Sequence, residues 1–283
     1  MKTDLKTDKG IPKENMVINV DISEEILTPL ACASLVNEIL KGLLYQKSQI
    51  PYPYTWMKTV VNRKRNNIND AQSANRNFSI ENHFKVVSTA FDALEEIMSG
   101  IRDEFSSSSD VKEVIIVFGT NPLCPKEVFT IQVSDLAKGH IERNHVNKIS
   151  QIQPKILRSI FLSQAWMDSV DGSAPCSNTF VYIKKETCES TSKIDTCFTP
   201  SRTTNFSDKV KQINIKLNFN KDIDRKDCCS NLMVFQEGDD SQSRHELVES
   251  ENNEKIVVYC QSKCVVKGFK DCFINKTSAS ELW

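Results

Sequence analysis

Ten cysteines and four histidines are the residues of this chain whose types could bind a metal ion or attack a substrate. No two cysteines have the C-x-x-C spacing of zinc ribbons and thioredoxin-like enzymes. His140 and His145 lie five residues apart, whereas the histidines of H-E-x-x-H enzymes lie four apart and therefore share one helix face. The spacing predicts no metal site and no cofactor, with the cysteines as free thiols in the core and in loops. A cysteine-dependent or metal-dependent enzyme remains an alternative.

The sequence also lacks the motifs that several other function classes require. The eight glycines are dispersed, so neither a G-x-G-x-x-G turn nor a phosphate-binding P-loop occurs. No G-x-S-x-G nucleophile turn is present either. With 36 basic and 37 acidic residues, the chain has no overall field that attracts nucleic acid. The longest strongly apolar run, residues 114–118, is far shorter than the roughly 20 residues of a membrane-spanning helix. We therefore expect no enzyme, no nucleic-acid partner and no membrane partner.

Three helices are predicted from apolar residues that recur every three or four positions. The first begins after Thr28 and ends before Pro51. The second carries a long apolar stripe over residues 79–105 and is expected to be the central helix of the core. The third begins at Pro154, a residue suited to a first helical turn, and is short and unusually apolar. If its apolar residues surround the helix, one side packs on the sheet and the other requires a partner.

The strands are concentrated later in the chain. Residues 111–118 and 128–133 are expected to form a hairpin, and period-two alternation marks four later strands at 179–185, 210–219, 232–236 and 255–261. Early helices and late strands predict one α+β domain, with three helices packed on a largely antiparallel sheet.

The domain is bounded by segments that are poor in apolar residues. Residues 1–27 are expected to be a flexible leader without the apolar region of a secretory signal, the domain covers residues 28–270, and 271–283 form a tail. Disordered loops are expected at about 62–77 and at 237–254, where seven acidic residues accompany one arginine. A chain without a secretory signal is expected in the nucleus and cytoplasm.

Aromatic and proline residues follow the first helix. Tyr45 and Gln46 end it, and Ile-Pro-Tyr-Pro-Tyr occupies residues 50–54. Two interpretations stay open: a rigid corner with half-packed tyrosines, or an interaction surface, since tyrosine is a favoured anchor of interfaces.

Four segments resemble one family of proteins in the order in which they occur. They are LLYQKSQIPYPY at residues 43–54, VIIVFGTNPLCPKE at 114–127, ILRSIF at 156–161 and VVKGFK at 265–270. Together they resemble the comet protein family, HORMA-like adaptors that bind the spindle-checkpoint protein Mad-two (Mad2).

This resemblance implies a fold and a role. The fold would be HORMA-like, with a C-terminal, safety-belt-like segment already wrapped in the closed arrangement. Comet-type proteins bind closed Mad2, exclude other checkpoint partners and help deliver Mad2 to a hexameric AAA+ remodelling ATPase, which silences the checkpoint. The implied partners are closed Mad2, the ATPase and the mitotic checkpoint complex, with a spindle or kinetochore location in mitosis. A conformation-switching HORMA protein that captures peptides is the alternative.

The resemblance also implies site residues. Gln46 matches the family's partner-contacting glutamine beside Tyr45, and Leu157 lies where the family often has a contacting phenylalanine. Ile160 and Phe161 complete the expected partner-binding set.

A second, weaker match concerns the ATPase. Pro200, Ser201 and Arg202 resemble the ATPase-contacting loop, in which a lysine usually follows the proline. Here Ser201 replaces that lysine, and Arg202 is the neighbouring residue that could supply the charge.

Overall fold

The computed structural model describes most of the chain. The described residues are 16–22, 25–67, 78–107, 110–133, 136–137, 140–170, 175–187, 197–201, 206–207, 210–219, 229 and 256–282. The predicted strand at 232–236, the predicted loop at 237–254 and Arg202 lie outside them.

Five α-helices and ten strands are found in this part of the chain. The helices are α1 (Pro29–Gln46), α2 (Tyr54–Asn67), α3 (Phe78–Ser106), α4 (Glu142–Phe161) and α5 (Gln164–Val170). The strands are β1 (Met16–Ile22), β2 (Asp110–Gly119), β3 (Pro125–Gln132), β4 (Asn178–Thr187), β5 (Phe198–Pro200), β6 (Lys211–Phe219), β7 (Ile256–Ser262), β8 (Val266–Lys267), β9 (Phe273–Ile274) and β10 (Thr277–Ser278). A short 3₁₀ helix, Ala279–Leu282, follows.

One eight-stranded sheet organises the fold. Its order is β1-β6-β3-β2-β4-β7-β5, with β8 also paired to β4. Among the described strands of this sheet, only the pairs β1–β6 and β3–β6 are parallel. The hairpin of β2 and β3 confirms the sequence prediction. The α+β class is confirmed, although the described residues contain five α-helices where the sequence predicted three.

The core lies between the helices and one face of the sheet. Helix α1 is buried over most of its circumference, which fits its nearly uninterrupted apolar sequence. The predicted stripe of α3 is confirmed, with Val87, Phe91, Leu94, Met98, Ile101 and Phe105 all buried. Within the described residues, no helix is long and apolar enough to cross a membrane.

The amino-terminal segment differs from the sequence prediction. Residues 16–22 form β1 at the edge of the sheet, inside the expected flexible leader. Ile18, Val20 and Ile22 are buried, whereas the polar residues between them face outward. Such alternation is typical of a half-buried strand, but the charged residues around it concealed the pattern.

The residues after the predicted domain end are also structured. Strands β9 and β10 form a small hairpin in residues assigned to a tail. The Tyr52 hydroxyl donates a hydrogen bond to Asp271, and the Ser278 hydroxyl donates to the same carboxylate at 2.9 Å. His83 Nε2 lies 3.2 Å from the Tyr52 hydroxyl. The C-terminal hairpin is therefore attached to the start of α3 and to the segment after α1.

Two further boundaries differ. Helix α2 extends through the first residues of the loop expected at 62–77, and residues 68–77 lie outside the described part. Helix α4 begins twelve residues before the predicted start, and Pro154 lies inside it. Pro154 is on the exposed side of the helix, where water can satisfy the carbonyl that a proline leaves unbonded.

Candidate functional site

Helices α1 and α4 lie side by side and run in the same direction. Near their starts, the Thr28 hydroxyl donates to Glu142 Oε2 at 2.5 Å, and farther along Gln153 Nε2 donates to the Ser34 hydroxyl at 3.2 Å. Near their ends, the Phe161 ring packs on Gly42. From the second contact to the third, each helix advances eight residues, or about 12 Å. The carboxyl ends of the two helices are therefore adjacent.

The packing of α4 divides its residues into two faces. Ile149, Ile156 and Ile160 are buried, whereas Lys155 and Arg158 are exposed. The helix is thus amphipathic and 20 residues long, whereas the sequence predicted a short and unusually apolar helix. The condition that apolar residues surround it is not met. Leu157 and Phe161 lie at the border between the two faces, where they are partly buried against the core.

Close approach at Gly42 places Phe161 beside the end of α1. A Cβ atom at position 42 would lie 2.4 Å from Phe161 Cζ, so only glycine leaves room for the ring in this position. Tyr45 and Gln46 follow Gly42 by three and four residues and therefore lie on the same side of α1, one turn farther on. Tyr45 is 44% exposed, and Gln46 is also exposed. We call Tyr45, Gln46, Leu157 and Phe161 the helix-end surface.

A buried ion pair fixes the backbone directly after this surface. Lys47 Nζ lies 2.7 Å from Glu127 Oε2, and the two side chains are only 2% and 8% exposed. The same ammonium group donates to the Ser169 carbonyl at 3.0 Å. Since Glu127 is on β3 and Ser169 is on α5, this pair joins the end of α1 to the sheet and to the helix that follows α4.

Hydrogen bonds of Gln49 join the end of α1 to the C-terminal segment. Its Oε1 atom accepts from the Ser177 amide at 2.8 Å, and its carbonyl accepts from the Phe269 amide at 3.0 Å. Gly268 lies in this crossing, where a Cβ atom would be 2.4 Å from the Ser177 carbonyl oxygen. The Lys-Gly-Phe segment therefore needs glycine because two other backbone segments approach it closely.

A pocket of about 560 Å³ opens beside the helix-end surface. Tyr45 and Gln46 line one side, and Pro51, Phe269 and Lys270 line the other. The pocket combines apolar side chains with hydrogen-bonding groups, a combination that suits recognition of another chain.

Five of the eight described thiols have a pKa that is shifted away from the reactive thiolate form. Burial raises the pKa of the thiols at Cys32, Cys176, Cys197 and Cys260. Burial also raises the pKa of Cys264 to about 12, and a hydrogen bond with Glu96 contributes in the same direction. A reactive cysteine requires the opposite shift. These five thiols are therefore protonated at neutral pH.

Four of the five predicted partner-binding residues are exposed or partly exposed on the neighbouring carboxyl ends of α1 and α4. The exception is Ile160, which is 0% exposed and lies in the core beneath Leu157 and Phe161. It supports the surface from below and presents no side-chain area to a partner.

Sequence reasoning missed Gly42, Lys47 and Leu162. Leu162 directly follows Phe161 and is 69% exposed. A glycine within a strongly apolar helix was the available signal for Gly42, since it often marks a close approach. The sequence around Lys47 contains no comparable signal, because Glu127, with which it forms an ion pair, is far along the chain.

The residues expected to contact an ATPase lie elsewhere. Pro200 ends β5, the strand at the edge of the sheet opposite β1, and it is exposed. The Ser201 amide donates to the Tyr259 carbonyl at 2.8 Å, which holds the chain against β7. Helix α4 packs against β1, so α4 and Pro200 are at opposite edges of the sheet, whereas Lys47 at the end of α1 contacts β3 between them.

Known proteins are similar to this chain over part of its length. A mouse protein named MAD2L1-binding protein is 29% identical over 137 residues, which are 48% of this chain and 48% of the mouse protein. The human MAD2L1-binding protein is 25% identical over 137 residues, which are 48% of this chain and 49% of its own length. The chain thus matches about half the length of these curated relatives. A family model described as "p31comet: Mad1 and Cdc20-bound-Mad2 binding" matches residues 6–229. Since this match covers well over half of the residues, the chain belongs to the p31comet family.

Proposed function

We propose that this chain is a non-enzymatic adaptor that binds the closed conformer of Mad2 through the helix-end surface. The observation that carries the proposal is the contact of Phe161 with Gly42, which places the end of α4, with Leu157, beside the end of α1, with Tyr45 and Gln46, in a member of the p31comet family. Both relatives are named as binding proteins, which supports an adaptor and not an enzyme.

The arrangement of the surface suits a protein partner. Exposed Tyr45 and the partly exposed Phe161 supply aromatic area, and Gln46 supplies hydrogen-bonding groups beside them. The buried Lys47–Glu127 pair holds the end of α1 in place before a partner arrives. A preorganised surface loses less conformational entropy when it binds.

The fold proposed for this role is HORMA-like, with residues 256–270 as the safety-belt-like segment. Strands β7 and β8 both pair with β4, and Gly268 and Phe269 cross directly over the end of α1. These contacts support a closed arrangement in which the segment is attached to the sheet and to the partner-binding helix.

The later steps of the proposed role involve further partners. The adaptor would block the surface of Mad2 that its checkpoint partners use, act on the mitotic checkpoint complex and deliver Mad2 to a hexameric AAA+ ATPase. Pro200, Ser201 and Arg202 would contact the ATPase at the edge of the sheet opposite β1 and α4, so a partner on α4 would leave this edge accessible. The role places the protein in the nucleus and cytoplasm, and at the spindle or kinetochore in mitosis.

A pull-down with Mad2 locked in its open or closed form tests this proposal. The wild-type chain is expected to retain closed Mad2 and to release open Mad2, because an adaptor that acts on one conformer needs differential affinity for it. Combining Gln46→Ala with Leu157→Ala is expected to abolish capture. A central anchor of an interface is worth about 2 kcal/mol, or roughly 30-fold in Kd.

Ile256→Ala is the matched control. Ile256 is 51% exposed and lies on β7, at the other end of the sheet order from β1 and α4. This variant should capture closed Mad2 as well as the wild type does. Equal capture of open and closed Mad2 by the wild type, or undiminished capture by the folded double variant, would contradict the proposal.

A further inference from the structure

Two histidines and a cysteine converge at the start of α4. Cys229 Sγ lies 3.7 Å from His140 Nδ1 and 3.5 Å from His145 Nε2. The two imidazole rings are perpendicular, with centroids 5.2 Å apart. One potential ligand atom from each residue lies within 4.8 Å of the other two.

The five-residue spacing of the two histidines does not keep their rings apart in the folded chain. Five residues separate His140 from His145, and on one helix this spacing would turn the two rings away from each other. However, α4 begins at Glu142, so His145 is on its first turn and His140 is in the segment before it. The chain bends between the two histidines, and their rings meet.

The distances agree with the edges of a tetrahedral zinc site. Zinc binds thiolate sulfur at about 2.3 Å and imidazole nitrogen at about 2.0–2.1 Å, so tetrahedral angles place the sulfur and nitrogen atoms about 3.6 Å apart. The observed separations of 3.5 and 3.7 Å lie on either side of this value. Small side-chain rotations are therefore enough to direct all three ligand atoms at one ion.

Burial and hydrogen bonding also suit a metal ligand set. Cys229 and His145 are 3% and 2% exposed, whereas His140 is partly exposed, which gives an ion one route to water. The Ile141 amide donates to Cys229 Sγ at 3.4 Å, an interaction that stabilises a thiolate.

We propose that His140, His145 and Cys229 bind one Zn²⁺ ion, with a water molecule as the fourth ligand. Two nitrogen donors and one sulfur donor in a tetrahedral arrangement match the preferences of this metal. The ion would attach Cys229 to the start of α4. The helix-end surface is at the other end of α4, about 18–24 Å from His145 along the helix, since Leu157 and Phe161 follow it by 12 and 16 residues. The zinc site is therefore independent of the proposed Mad2 contact.

Metal analysis of the full-length chain, purified without chelator, tests the site. One zinc per chain is expected, and it should be removable by a chelator with a fall in the thermal midpoint of unfolding. Replacement by Co²⁺ should give the intense visible bands of tetrahedral coordination and a thiolate-to-cobalt charge-transfer band. The second band reports directly on Cys229.

Single variants assign the ligands. Losing a hydrogen-bond partner behind a metal ligand costs about 10–100-fold in affinity, so losing the ligand itself should cost more than about 100-fold. Cys229→Ser should lose the charge-transfer band, and His140→Ala should lose tight binding while its partly exposed position leaves folding intact. Cys124→Ser is the thiol-matched control, because Cys124 is exposed and is not part of the cluster.

The alternative is a hydrogen-bonded cluster without a metal. It predicts substoichiometric zinc, no charge-transfer band with Co²⁺ and an unchanged unfolding midpoint after chelation, and these results would overturn the proposal. A charge-transfer band that persists in folded Cys229→Ser would overturn it as well. Absence of zinc from the wild-type chain, together with capture of closed Mad2 by that chain, would reject this site and leave the proposed function standing.

Discussion

The Phe161 ring lies directly against the Cα atom of Gly42, and this contact sets the distance between the ends of α1 and α4. A larger residue at position 42 would fill the space that the ring occupies. Phe161 in turn packs on Trp166, with ring centroids 5.1 Å apart, so the ring is held between α1 and α5. The position of one surface aromatic residue thus depends on the absence of a side chain on a neighbouring helix.

Gly42→Ala is expected to affect binding more than stability. Alanine favours a helix over glycine by about 0.8–1.0 kcal/mol, but its Cβ atom displaces the Phe161 ring. In the Phe161→Ala background this collision is absent, so Gly42→Ala should raise the free energy of unfolding by up to about 1 kcal/mol. In the wild-type background the gain should be smaller or negative. Urea unfolding of the four proteins measures the difference.

The same four proteins separate packing from helix propensity. If Gly42→Ala changes the free energy of unfolding equally in both backgrounds, the two residues are not coupled and the described contact is wrong. In the capture assay, Gly42→Ala alone should weaken binding to closed Mad2, since it moves Phe161 out of the helix-end surface.

Replacing only one member of the Lys47–Glu127 pair is expected to lower the free energy of unfolding strongly. Lys47→Met leaves the Glu127 carboxylate buried without its counter-charge, which typically costs about 3–5 kcal/mol. Adding Glu127→Leu should recover much of this loss, because an apolar pair replaces an uncompensated charge. Denaturant unfolding of the single and double variants measures the recovery.

A surface ion pair provides the control for this prediction. Arg65 and Asp92 also form an ion pair, at 2.7 Å, but their side chains are 40% and 55% exposed. Arg65→Met should therefore cost less than about 1 kcal/mol. Equal losses in Lys47→Met and Arg65→Met would show that the buried pair does not fix the end of α1.

Acidification is expected to loosen the attachment of the C-terminal hairpin through His83. Burial lowers the pKa of His83, and the nearby Asp271 carboxylate opposes this shift only in part. Below the ordinary histidine value of about 6.5, the unfolded chain therefore binds more protons than the folded chain. The free energy of unfolding should fall as the pH decreases through this range, by at most about 1.4 kcal/mol per pH unit for one histidine.

His83→Gln identifies this contribution. Urea unfolding at pH 7.5 and 5.5 should show a smaller loss for the variant than for the wild type. A residual loss is expected, because burial also lowers the pKa of His145. Superimposable pH profiles for variant and wild type would eliminate His83 as a source of the dependence. Tyr52 does not titrate in this range, since burial and its bond to Asp271 raise its pKa to about 12.

Periodicity in the sequence predicted the elements whose partners are close along the chain. The apolar stripe of α3 and the hairpin of β2 and β3 are local patterns, and both are present. Tyr45 and Gln46 were predicted to end the first helix, and α1 ends at Gln46. Strand β1 was missed because its partner, β6, is far along the chain and the parallel pair leaves no turn in the sequence between them.

Contacts between residues that are far apart along the chain could not be predicted from the sequence for a related reason. Phe161 was expected at a partner surface, but its contact with Gly42 depends on the mutual packing of two helices. The three residues of the proposed zinc site are brought together by the bend before α4 and by a residue far along the chain. A spacing rule for one helix tests only ligands on one helix, and so it could not detect this arrangement.

Ser201→Lys is expected to strengthen the proposed contact with the ATPase. The substitution restores the Pro-Lys pair of the resembling loop, and the exposed end of β5 leaves room for a long side chain to reach solvent. One added surface ion pair is worth up to about 1 kcal/mol, so ATPase-driven opening of closed Mad2 should accelerate by up to about fivefold at low salt. The gain should shrink as salt screens the charge. Ser207→Lys is the control, because it adds the same charge at an exposed position elsewhere in the chain. Equal acceleration by both variants would show that net charge, and not a contact after Pro200, causes the effect.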